Sequence, residues 1–420
     1  MKKNAILALC LILVLSLFGS ALAEGEPLRV AWWGSESSNA IYLGVNDMFI
    51  ESTGIDTEPE YLSWDDYLTK MNTLSASHDL PDEFRTDYVF IKNYIDKGLL
   101  LDMTELVESG LIDMSKVPDS ALSGGRINGG LYGINAGSNS VAMLTNAKLV
   151  EDAGMEPLTN ESTWEEFEQW VLDFHEKTGL YGADLFSLRS IQSFRLFARA
   201  FEQEIFNEPQ DGAGFDVEVF EKYLESVKRM HDAGATQNIA EVTVDIGKEN
   251  YPFSKGEAAT IFSYTDSATG YAELLQENYG KILYTIIPGT AAKKGMYIQP
   301  SQYLSISADT ERVEDAAAYI NFWCNDLDAN LFINGRRGVP INTEIAAAVS
   351  ENVDDISKDV YEYMAIVADY SSDLYAPDPA GESEVEAAFI DAFTAVMYGE
   401  MTPAEGAQTF VDNMATILAA

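Results

Sequence analysis

Strand-like apolar runs alternate with helix-like stretches along almost the whole chain, and no other feature limits its fold as much. Residues 28–32 read as a first strand and 39–50 as the helix after it. Residues 64–74 read as a second helix, with Tyr67, Leu68 and Met71 on one face. Residues 84–87 resemble a strand end and 89–96 a further helix. Thr163 and Glu166 have the spacing of a capping box, and Phe167, Trp170, Val171 and Phe174 follow at helical intervals. Val313, Ala317, Ile320 and Cys324 repeat that interval. Thr402, Pro403 and Glu405 form a second capping box, ahead of Phe410, Met414 and Ile417. Residues 258–264, 281–288 and 303–307 add strands. The pattern predicts an α/β fold without internal repeats.

The N-terminus reads differently. Lys2 and Lys3 precede an apolar run over 5–18, and Ala21-Leu22-Ala23 is a small-x-small cleavage pattern. Residues 1–23 are therefore expected to be a secretory signal peptide, too short in its apolar part to span a bilayer. Cys10 lies inside the apolar run rather than at the cleavage point, so lipid anchoring there is not expected. Cys324 is then the one cysteine of the mature chain. It excludes an intramolecular disulfide and suits a core position, where a free thiol packs as a small hydrophobe. An exported chain of this size must rely on its own core.

The chain carries 26 Lys+Arg against 68 Asp+Glu, a net charge of −42. Such a surface repels phosphate backbones and anionic membranes, so neither nucleic acid nor a lipid surface is an expected partner. Its ordinary reading is solubility.

A search for chemistry finds little. His78, His175 and His231 are not spaced as a metal pair, and no G-x-S-x-G elbow occurs. The glycine-rich stretches GSESSNA and SGGRINGG lack the spacing of a phosphate loop. Acid pairs for glycoside cleavage can be drawn almost anywhere among so many carboxylates, which gives them no specificity. Asn160-Glu161-Ser162 matches a glycosylation sequon.

Aromatic residues at loop positions are more informative. Trp33, Trp64, Tyr88, Tyr264, Tyr297 and Tyr375 stand near Ser35, Glu36, Asp87, Asn139, Asp266 and Arg337. Flat rings with acids, amides and a guanidinium suit a sugar, whose C–H face stacks while its hydroxyls need donors and acceptors. Several lie at expected strand ends, where α/β sites form. Trp32 and Trp33 point to opposite faces of the first strand. Trp32 is expected to pack against a helix and Trp33 to face a cleft.

Taken together, these stretches resemble the extracellular solute-binding proteins of bacterial ABC transporters, and within them the sugar-binding, maltodextrin-binding-protein-like group. VAWWGSE is similar to that group's first strand and loop, YLSWDDYLTKMNTLSAS to its second helix and LPDEFRTDY to its Pro-Asp strand. NGGLYGINAGSNSVAMLTNAKLVEDAGM, TWEEFEQWV, FSKGEAATIF, QPSQYLSISADTERVEDAAAYINFWCND and RRGVPIN follow in the expected order, from about residue 28 to the C-terminus.

The resemblance implies a two-lobed periplasmic-binding-protein-like clamp, with hinge crossings near 137–141, 284–290 and 338–341. It implies an N-terminal lobe of residues 24–138 with 288–339 and a C-terminal lobe of 139–287 with 340–420. Carried over by position, Trp33, Ser35 and Glu36 occupy the first-loop site, and Asp87 the acidic position after the Pro-Asp strand. Asn139 takes the hinge polar position, Tyr264 that of a stacking tryptophan, and Arg337 a cleft-facing segment. Trp64, Tyr88 and Asp266 complete the expected ligand-binding set. The implied function is capture of a carbohydrate and delivery to transmembrane permease subunits. A monomer is implied, with no chemical step, catalytic residue, cofactor or metal, in the periplasm or at the cell surface. A sugar-sensing module for a membrane receptor, or a carbohydrate-cleaving enzyme, are the alternatives. Glu83 departs from the pattern: a charge in a strand expected to be buried calls for a sheet edge, or for pairing with Arg85 or Arg126. The hinge stretch NAGSNS also lacks the proline of many members.

Overall fold

The computed structural model describes residues 26–34, 36–88, 90–242, 248–276, 280–379 and 381–419. The expected leader and Ser35 lie outside the described residues.

Two sheets organise the chain into an α/β, two-lobed fold. The first has the strand order Thr57–Leu62, Leu28–Trp33, Glu83–Thr86, Tyr303–Ile306, Ile134–Asn135. Its first three strands are parallel, and Tyr303–Ile306 runs against both its neighbours. The second has the order Ile282–Thr285, Val141–Asn146, Ala258–Tyr264, Tyr181–Ala183.

Strand alternation divides the core of the first lobe. Leu28, Val30 and Trp32 join one cluster, with helix residues Tyr42, Val45 and Trp323. Ala31 joins another, with Tyr67, Met71 and Phe84, and Trp33 packs against it. The period of two thus places the paired tryptophans on opposite faces of the sheet. Trp32 is buried between Tyr42 and Tyr61, with ring centroids 4.8 and 5.5 Å away, and its Nε1 donates to Asn39 Oδ1. Cys324 is buried in the same cluster. The second lobe builds its core around Trp164, Phe167, Phe220 and Phe389. Both capping boxes form, at Thr163 with Glu166 and at Thr402 with Glu405.

The structure adds one strand to the sequence reading and bears out one of the alternatives for Glu83, its pairing with Arg85. Strand Thr57–Leu62 escapes the pattern because Pro59 and the flanking Glu58 and Glu60 hide it. It lies at the sheet edge, where proline is tolerated. Glu83 is not at an edge: its strand is the middle one of five. It pairs with Arg85, both side chains being 1% exposed, while Arg126 is exposed. Ile286, Ile287, Met296 and Tyr297 all pack in the second lobe's core. The pairing changes at Gln299–Pro300, which runs antiparallel to Ser138–Asn139.

That short ribbon is joined by a third segment. Ser138 N donates to Val339 O at 2.7 Å, and Val339 N donates back to Ser138 O at 3.0 Å. Ser301 Oγ donates to Arg337 O at 2.7 Å. Gly137 makes the close approach possible, since a Cβ there would overlap the Arg337 carbonyl. Gly137→Ala is therefore expected to cost about 1–3 kcal/mol, the usual range for overpacking against atoms that cannot yield. Urea unfolding checks it; an unchanged midpoint would show that these segments separate freely.

Candidate functional site

The site grows from strand ends. Leu28–Trp33 ends at Trp33, Glu83–Thr86 leads into Asp87 and Tyr88, and Ala258–Tyr264 ends at Tyr264. Each tip carries the aromatic or acidic side chain that the sequence singles out. They fall into two neighbouring groups.

The first group belongs to one lobe. Trp33 meets Trp64 edge-on, with centroids 4.8 Å apart and an interplanar angle of 76°. Tyr67 and Phe90 complete its surroundings at 5.2 and 6.0 Å. Trp33 is half-buried, and Trp64, opening its helix behind the Ser63 cap, is 38% exposed. Phe90 is not among the expected residues. It is the residue just ahead of helix Ile91–Asp96, 57 positions from Trp33, and no spacing rule connects the two.

The second group joins the lobes. Tyr88 packs against the cores of both. Its ring meets Tyr375 edge-on at 5.3 Å and 85°, and Tyr375 meets Tyr297 in the same way at 5.3 Å and 88°. Tyr264 and Tyr297 lie close enough to act electrostatically on each other, and the Tyr297 hydroxyl donates to Gln192 Oε1 at 3.4 Å. Asp87 acts electrostatically on the buried Tyr303, which in turn lies near Tyr375. Burial pushes the Tyr88, Tyr264 and Tyr375 hydroxyls well above the ordinary tyrosine range. All three stay protonated at neutral pH, so they can donate as well as accept.

Two arginines of helix Ile191–Arg199 hold this group in place. The Arg195 guanidinium carbon lies 3.5 Å from the Tyr375 ring centroid, and Nη2 donates to Asp378 Oδ1 at 2.8 Å. Arg199 pairs with Glu204 and donates to Gly295 O, Ser372 Oγ and Asp373 O at 2.7–2.9 Å. Ser372, Asp373, Tyr375 and Asp378 all belong to the non-helical segment ahead of helix Glu382–Tyr398. That segment also reaches the other lobe, where Leu374 N donates to Ser123 Oγ at 3.3 Å. Sequence reasoning misses Arg195 and Asp378 and leaves Tyr297 and Tyr375 outside the ligand set. The available signal is the pair Arg195 and Arg199, four apart on a strongly amphipathic helix yet both buried.

The remaining expected residues are spread out. Asn139 is buried in the ribbon between the lobes, where Thr265 Oγ1 donates to its Oδ1 at 3.5 Å. Glu36 and Asp266 are exposed in the first turns of their helices. Arg337 is half-buried beside the ribbon, its guanidinium carbon 5.8 Å from the Tyr42 ring centroid. No contact joins Glu36, Asp266 or Arg337 to the tyrosine group among the described residues. Asn160, the sequon residue, accepts from Ile286 N at 3.1 Å. No cluster of three or more His, Cys, Asp or Glu able to hold a metal occurs among the described residues. No helix among them is long and apolar enough to cross a membrane.

The arrangement offers flat rings, protonated hydroxyls and fixed carboxylates on two lobes that share a seam. Such a surface can grip a polar ring from both sides.

Comparison with known proteins agrees with this architecture. The family model described as bacterial extracellular solute-binding protein matches residues 45–360. A carbohydrate ABC transporter substrate-binding protein of Streptococcus pneumoniae is 29% identical over 108 residues, which span 25% of this chain and 21% of that relative. Among solved structures, an extracellular solute-binding protein family 1 member from Alicyclobacillus acidocaldarius superposes with a TM-score of 0.83 at 22% identity, covering 94% of this chain and 100% of that one. A periplasmic oligogalacturonide binding protein from Yersinia enterocolitica does so with a TM-score of 0.79 at 20% identity, covering 94% and 99%.

Proposed function

Because the chain belongs to the bacterial extracellular solute-binding protein family, we propose that it captures a carbohydrate, specifically an oligosaccharide, between its lobes and delivers it to the permease of an ABC transporter. The observation that carries this reading is Tyr88, which packs on both cores and meets Tyr375 edge-on. A ligand seated at that seam touches both lobes at once. It then favours the closed arrangement by as much as it binds that arrangement more tightly than the open one. The lobes are residues 24–136 with 301–336 and residues 141–298 with 340–420, joined through the ribbon at 137–140, 299–300 and 337–339. The protein acts as a monomer outside the cytoplasm, after loss of residues 1–23, and performs no chemical step.

A thermal-shift screen against a broad glycan set tests the reading. At least one oligosaccharide is expected to raise the melting temperature, since a ligand that binds only the native state stabilises it. Silence across the set, with a shift from another solute class, would remove the carbohydrate assignment. Trp33→Ala and Asp87→Ala are each expected to weaken binding of that glycan by about 1–3 kcal/mol, through a lost stacking face and unpaired sugar hydroxyls respectively. Titration calorimetry measures both. A residue whose loss leaves affinity unchanged does not touch the ligand.

A further inference from the structure

The buried guanidinium of Arg195 is the strongest feature of the seam that sugar capture alone leaves unexplained. Its side chain is 1% exposed, and its guanidinium carbon lies 3.5 Å from the ring centroid of Tyr375, the ring that meets Tyr88 of the other lobe edge-on. A buried arginine beside stacking rings is the group that an acidic sugar would seek, because a carboxylate matches its planar fork. Here the place is partly taken: Nε is buried without a hydrogen-bond partner, but Nη2 is held by a carboxylate of the chain itself. Asp378 Oδ1 accepts from Arg195 Nη2 at 2.8 Å, with a side chain only 13% exposed. Arg199, the neighbouring cation, is matched by Glu204 and by three further acceptors. Asp87 and Glu382 add negative charge, Glu382 acting electrostatically on the same Arg195 and Asp378.

We propose that Asp378 is a specificity-determining residue, a built-in carboxylate that neutralises Arg195 and restricts the cleft to sugars without negative charge. The inference rests on the carbohydrate reading and narrows it to a substrate class. A uronate entering the seam either meets Asp378 as a like charge or must displace it, leaving a buried carboxylate without its cation. Both are costly where water is excluded. An uncharged sugar avoids the conflict and uses the tyrosine hydroxyls and rings instead.

The test is calorimetric titration of the whole protein with saccharide pairs that differ only in a carboxylate, such as trigalacturonic acid and its methyl ester, alongside uncharged gluco-, manno- and xylo-trisaccharides and their uronate counterparts. At least one uncharged member is expected to bind, with its carboxylated counterpart ~100-fold weaker or worse. In Asp378→Asn the affinity ratio of carboxylated to uncharged member is expected to rise at least ~10-fold, because Arg195 gains an anion to seek. The double variant R195Q/D378N removes the Asp378 repulsion and the Arg195 attraction together, so its ratio is expected to lie between those of the parent protein and Asp378→Asn. Where the single variant fails to fold, a double variant with the parent's ratio overturns the inference. A parent protein that binds the carboxylated member as tightly as the uncharged one overturns the inference and leaves the carbohydrate reading standing. An unmoved ratio in folded Asp378→Asn overturns it as well. Silence toward every member overturns the carbohydrate reading, and this inference with it.

Discussion

Arg85→Met is expected to lower the stability of the protein by about 3–5 kcal/mol, the usual cost of removing one partner from a buried ion pair. Arg85 is fully enclosed in the first lobe. Its guanidinium carbon lies 4.4, 5.4 and 5.9 Å from the ring centroids of Trp323, Tyr42 and Tyr319. Glu83, two residues away on the same strand face, is its ion-pair partner. Those rings supply cation–π attraction that methionine cannot replace, and the pair supplies charge balance. Methionine fills much of the volume, so the loss measures charge rather than cavity. Urea unfolding at neutral pH checks it, and a loss under ~1 kcal/mol would show that the pair contributes little net stability.

The same pair gives the stability a pH dependence. Burial pushes the Glu83 carboxyl up to about 7 despite the opposing pull of Arg85. A group whose pKa is higher in the folded state binds its proton more tightly there. Its contribution is therefore full below the ordinary carboxylate range and declines as pH rises through about 7. Glu83→Gln abolishes that term while keeping the size and a hydrogen-bonding amide. Between pH 5 and 7.5 the parent protein is expected to lose stability relative to Glu83→Gln. A gap that moves the other way would mean that Arg85 outweighs the desolvation.

Much of this was legible in the sequence where a rule of period applies. Alternation along one strand separates Trp32 from Trp33, and the helical interval finds Phe167, Trp170 and Phe174. Strand ends locate Tyr88 and Tyr264. What the sequence hides depends on chain-distant contacts. Glu83 is visibly odd and its neighbour Arg85 is visible too, but the enclosing rings of Tyr42, Tyr319 and Trp323 come from two distant helices. Arg195 and Asp378 stand 183 residues apart. Asp378 and Tyr375 lie in a segment with no periodic pattern, held by side-chain contacts to each lobe. The end of the second lobe's strand is hidden for a related reason. Residues 281–288 read as one long strand, while the sheet uses only Ile282–Thr285 and the chain stays in the second lobe until the ribbon.

Tyr375→Ala is expected to weaken glycan binding by about 2–4 kcal/mol, roughly 30- to 1000-fold, the scale of a central aromatic hot spot. Tyr375 touches Tyr88 on one lobe, Tyr297 on the other, and the Arg195 cation. Its removal acts in two ways. A ligand loses a stacking surface, and the lobes lose a contact that favours the closed arrangement. The two effects have different signatures. Loss of a ligand contact raises the dissociation rate and leaves the unliganded protein unchanged. Loss of an interlobe contact lowers the fraction of closed protein before any ligand arrives, and the apparent affinity falls by that fraction. Small-angle scattering of the unliganded variant measures the second effect directly, as a larger radius of gyration. Tyr375→Phe keeps the ring and both edge contacts, so it is expected to retain most of the affinity. Were Tyr375→Ala to bind within ~3-fold of the parent protein, the tyrosine seam would be a structural joint, and the ligand would lie instead against Trp33 and Trp64, where Trp33→Ala would carry the larger loss.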